Sequence, residues 1–79
     1  MSAAANDSRH KNQLASDWMH RGMYLVNENS VATLEQAIRC FDEAIALRRS
    51  LPLDDNPFFR YGLSAGWIHR GDAMARMGK

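Results

Sequence analysis

The pentapeptide Trp18-Met19-His20-Arg21-Gly22 returns 49 positions later as Trp67-Ile68-His69-Arg70-Gly71, and these contain the only two tryptophans of the chain. Leu14 matches Leu63 and Leu25 matches Met74 at the same offset. A chain that repeats one surface at a fixed interval must build that surface twice, and a period in this range marks units stacked into a solenoid. The pattern has its own physical logic. The indole fills the space between two helices, and the glycine one turn later removes a side chain so that a neighbour can approach. Glycine inside a helix costs ~1 kcal/mol relative to alanine, so its presence in both copies argues for a packing role.

Around the two copies the apolar residues follow a helical period. Leu14, Trp18, Gly22 and Leu25 define a first helix over 8–27, with Asn6, Asp7 and Ser8 as cap candidates and 1–7 as a disordered tail. Asn27 to Ser30 read as a turn. Ser30 is a cap for the next helix, and Thr33 followed by Gln36 offers a capping-box pattern one turn later. A second helix over 31–50 carries two apolar stripes, Val31, Leu34, Ile38, Phe41 and Ile45 beside Ala37, Cys40, Ala44, Leu47 and Leu51. Two stripes require two neighbours, so this helix is expected to be sandwiched. Arg48 and Arg49 suit the negative end of its dipole. Pro52 and Pro57 bracket the following linker, and Asn56-Pro57 is a helix start. The third helix is expected over 57–77, with Gly78 as its stop. No β-strand pattern is present. The expectation is an all-α, single domain over 8–78.

The residues that define the repeat, Trp18, Gly22 and Leu25 on the first helix, Ala37, Phe41 and Ala44 on the second, and Trp67 and Gly71 on the third, make the chain resemble the tetratricopeptide repeat. Arg21 stands where leucine is commoner, Pro52 falls later than the usual proline, and the turn before the second helix is longer. The last two differences account for a period of 49 residues against about 34 in the common repeat. The resemblance covers residues 15–77 and implies one and a half repeats: a helical hairpin plus a capping helix, a fragment of a right-handed solenoid. It also implies a protein-binding scaffold with a concave face lined by the first and third helices. One subgroup of the family clamps acidic chaperone tails with lysine and asparagine on that face. The equivalent positions here look like Met19, Met23, Ile68 and Asp72, so that activity does not carry over.

Composition narrows the function classes. With 46% hydrophobic and 24% charged residues the chain is globular in type rather than disordered. A net charge of +1 gives no surplus for nucleic acid or an anionic membrane. A small DNA-binding domain of three helices remains the alternative by size, against which stands the long, proline-bracketed joint before the third helix. Arg60, Arg70, Arg76 and Lys79 make that helix basic, diluted by Asp54, Asp55 and Asp72. A lone cysteine excludes an intrachain disulfide, no basic-apolar leader is visible, and no apolar run reaches the ~20 residues of a membrane span. The expectation is a cytoplasmic protein without a cofactor. No phosphate loop, metal-ligand spacing or nucleophile motif points to an enzyme.

Candidate partner residues follow from the repeat. Met19, His20, Met23 and Val26 with Ile68, His69 and Asp72 form a candidate groove, methionine being suited to adaptable surfaces. Met19 and Met23 as plain core is the competing reading. His20 and His69 are repeat-equivalent but lack further ligands for a metal. Cys40 reads as a small buried hydrophobe. Gly62, Gly66 and Ala73 form a small-residue stripe, for packing within the chain or against another. Leu63, Trp67, Met74 and Met77 form an edge that nothing in 1–79 follows. That edge is expected to pair with a second copy or with the continuation of a longer array.

Overall fold

The computed structural model describes residues 3–52 and 56–78, with side chains from Asp7 onward. These residues form three helices and no strand: α1 (Ala3–Glu28), α2 (Val31–Arg49) and α3 (Pro57–Arg76). They make a helical bundle of 45 × 17 × 14 Å.

Local chemistry sets each boundary. α1 starts at Ala3, earlier than the expected residue 8 and inside the span expected to be a disordered tail. Three consecutive alanines, the best helix formers, extend it past the cap candidates Asn6, Asp7 and Ser8. It ends at Asn29, whose φ of 55° is left-handed, with the Asn29 N–H donating to the Val26 carbonyl at 3.0 Å. Asparagine tolerates this conformation as few other non-glycine residues do. The turn thus narrows to Asn29-Ser30. Ser30 caps α2 through Oγ, which accepts from the Thr33 N–H at 3.2 Å, while the Ser30 N–H donates to Thr33 Oγ1 at 3.1 Å. The reciprocal box therefore pairs Ser30 with Thr33, and the Thr33–Gln36 pattern of the sequence is not the one that caps the helix. Asn56 caps α3 by accepting from the Phe58 N–H at 2.9 Å, and Pro57 occupies the first turn. Gly78, at φ 79°, closes the chain's helical part.

α2 lies between α1 and α3 and packs extensively on both, whereas α1 and α3 barely meet. Leu34, Ala37, Cys40, Phe41, Ala44 and Ile45 are buried along it, while Val31 of the expected stripe is exposed. Phe41 is the largest fully buried side chain. A Cβ on Gly22 of α1 would collide with its ring, so the glycine is what lets α1 and α2 close around the phenylalanine. On the other side of α2, a Cβ on Gly66 of α3 would stand 2.9 Å from Ile45 Cγ1, and one on Gly62 would stand 2.7 Å from Arg48 Nε. Ala73 of the same stripe is fully buried. The small-residue stripe of α3 is therefore used inside the chain, against α2.

Arg48 ties the three helices together. It is 8% exposed. Its Nη2 donates to Ser16 Oγ on α1 at 3.1 Å and its Nη1 to the Gly62 carbonyl on α3 at 3.3 Å, while its Nε has no partner among the described residues. Burial lowers its pKa. The sequence places this residue at the helix end, where its charge suits the dipole; the tertiary contacts make it an internal tether, because the last turn of α2 is flanked by both neighbours.

Candidate functional site

Because α1 and α3 splay apart over α2, a cleft runs between them. Its upper end is lined by Met23, Val26 and Asn27 of α1, Phe41 of α2, and His69, Asp72 and Arg76 of α3. Its lower end is lined by Asn12, Ser16, Met19, His20 and Met23 of α1, Arg48 of α2, and Phe58, Tyr61, Gly62 and Ala65 of α3. Met23, partly exposed, belongs to both ends.

The candidate groove residues divide on this geometry. Met23, His20, His69 and Asp72 line the cleft with side chains that solvent reaches. Met19 (6% exposed) and Val26 are core residues that reach the cleft only as its floor. Ile68 is 69% exposed and lines neither end. The reason is helical phase. Ile68 is the repeat mate of Met19, but α3 contacts α2 through the opposite face from the one α1 uses. His69 stacks on Phe41, with ring centroids 5.8 Å apart and planes 28° apart. Its partner in the repeat, His20, is exposed and stands at the other end of the cleft. The two histidines therefore do not converge, and among the described residues no three His, Cys, Asp or Glu side chains gather as a metal site.

Charge in the cleft is modest and local. Asp72 accepts from Arg76 Nε at 3.0 Å. Arg70, on the far side of α3, donates to Asp42 Oδ1 at 2.6 Å and lies 5.9 Å above the Trp67 ring. Arg21 lies at the same 5.9 Å above Trp18, so the repeat is preserved in three dimensions as well as in residue type. Burial pushes the Cys40 thiol above its ordinary pKa. Arg21 draws it back and Glu43 adds to the rise. A thiol held in its neutral form is a poor nucleophile.

Two exposed aromatic residues escaped the sequence reading. Phe58 and Tyr61 stand at the lower mouth of the cleft. A signal for them existed: their repeat mates 49 positions earlier are the polar Arg9 and Asn12, so the repeat itself marks both aromatics as additions at the surface. Of the edge residues, Leu63, Met74 and Met77 are half-buried and Trp67 is 50% exposed. None of the described helices is long and apolar enough to cross a membrane. Compared with known proteins, the chain matches no family model, and no curated protein and no solved structure shows significant similarity to it.

Proposed function

We propose that the chain is a protein–protein interaction module of the tetratricopeptide type, with a binding rather than a catalytic role, and that the cleft between α1 and α3 receives a segment of another protein. The observation that carries this reading is the cleft itself. Two helices bearing the same signature are held apart by a third, and an adaptable methionine, two aromatic residues and a histidine are left open along the gap. The lining mixes apolar side chains with polar and charged ones, as the surfaces of non-obligate protein interfaces do. The reading places the module in a reducing cytoplasm, where a single buried cysteine needs no disulfide partner.

The test is selection of a displayed peptide library on the immobilised full chain, followed by amide chemical-shift mapping with the selected peptide. The expected shifts fall at Met23, His69 and Asp72, and Met23→Asp weakens binding by about tenfold or more, the scale of one lost apolar anchor. A selection that yields no peptide sensitive to Met23→Asp overturns the reading.

A further inference from the structure

The repeat builds the same helical surface twice, but only one copy is covered. On α1, Ala15 and Met19 are buried under α2, and Gly22 meets the Phe41 ring. On α3 the mates of these residues, Ser64, Ile68 and Gly71, are all exposed. Among the described residues, nothing lies within 4 Å of where a Gly71 Cβ would be. Trp67 beside it is half exposed, with Arg70 poised over its ring as Arg21 is over Trp18. The face of α3 that does meet α2 is the other one, at Gly62, Gly66 and Ala73. So α3 is spent on one side and open on the side that carries the repeat signature.

The molecule also holds the template for what fits that side. On α1 the same surface is covered by a helix with an aromatic residue at the glycine, Phe41, and small residues four before and three after it, Ala37 and Ala44. A helix of that kind on α3 would continue the existing α1–α2–α3 stack by one layer, in the geometry already used once. Charge on this face is slight: Arg60 is exposed beside it, Arg70 is paired with Asp42 of α2, and the only acid of α3, Asp72, is held by Arg76. A second copy of the chain fits less well. Its own α2 is already seated, with Phe41 fully buried, so it has no free helix of this pattern to offer. The exposed parts of Trp67, Ile68 and their neighbours amount to an interface on the order of 800 Å² in total, the size of a weak, transient contact.

We propose that the outer face of α3, at Trp67, Ile68, Gly71 and Met74, docks an amphipathic helix of another protein that repeats the α2 pattern: an aromatic residue with a small residue four before and three after it. This rests on the reading of the chain as an interaction module, but uses a different surface from the cleft. The probe is a fluorescent peptide with the sequence of residues 31–51, titrated into the full chain by anisotropy. The expected result is saturable binding with Kd on the order of 100 μM. Gly71→Leu in the chain and Phe41→Ala in the peptide each weaken it about tenfold or more, because either change destroys the fit of ring to glycine. Gly71→Leu leaves the thermal midpoint of the chain unchanged or raised, since no atom opposes it, so lost binding there reports the surface and not the fold. Met23→Asp leaves peptide binding intact, which separates failure of this surface from failure of the cleft. Binding that ignores Gly71→Leu means the peptide has displaced the chain's own α2 or bound elsewhere, and overturns the proposal, as does absence of binding at about 1 mM peptide. Sedimentation of the chain alone supplies the last arm: a dimer abolished by Gly71→Leu would show that a second copy covers the face, and would overturn the assigned occupant.

Discussion

α1 and α3 carry the same five-residue signature and the same arginine-over-tryptophan arrangement, yet one glycine is pressed against a buried ring and the other faces open space. Met19 is 6% exposed and its mate Ile68 is 69% exposed. Neither difference comes from the residues at those positions. It comes from which face of each helix meets α2. The lesson is that a repeated motif specifies a surface able to be packed, while the neighbour that packs it depends on position in the stack.

The comparison breaks first at Phe41. Phe41→Ala removes the ring that fills the Gly22 notch and supports His69, and should cost about 3–5 kcal/mol. That is a large part of the stability of a domain this small, so denaturant titration should find the variant unfolded or close to it. A smaller effect separates the two glycines directly. Gly22→Ala gains helix propensity but drives a methyl into Phe41, and should destabilise by about 1–3 kcal/mol. Gly71→Ala meets nothing and should stabilise by about 1 kcal/mol. Thermal melts of the pair should therefore move in opposite directions; equal shifts would mean that Gly22 is not the closely packed member. Smaller again is the exposed pair of Arg70 and Asp42, which ties α3 to α2. Asp42→Ala should cost about 0.2–1 kcal/mol, and less in high salt.

The last effect is confined to alkaline solution. Burial raises the Cys40 pKa above its ordinary 9.0, so the unfolded chain loses this proton at lower pH than the folded one. The stability linked to the thiol is therefore complete below about pH 9 and is lost as pH rises through the higher folded value. Stability followed from neutral pH upward should fall over that range in the native chain and fall less in Cys40→Ala. Alkylation of the folded chain should be slow at neutral pH, because the reactive thiolate is suppressed and the sulfur is buried.

Much of the helical skeleton was legible in the residues. Asn56-Pro57 marked the start of α3 and Gly78 its stop, and the two stripes of α2 announced two neighbours. These signals are local: caps, φ preferences and apolar period act within a few residues of chain. The start of α1 was misjudged because Asn6, Asp7 and Ser8 favour caps, while the alanines before them carry the helix back to Ala3. Met23, His69 and Asp72 line the cleft, whereas Ile68, the repeat mate of Met19, lies outside it. Arg48 is the plainest case. Its position at the end of α2 suits the helix dipole equally well in solvent or in the interior, and nothing within its own helix reveals Ser16 and the Gly62 carbonyl as partners.

Three helices, their order, and a surface written twice were thus present in the linear chain, because caps, glycines and apolar spacing are encoded within single turns. The choice of which copy is buried, the conversion of Arg48 into a tether and the splay that opens the cleft came only with packing. Each depends on the angle at which one helix crosses another, and that angle is set by contacts between residues distant in sequence, Phe41 on Gly22 and Ile45 on Gly66 among them.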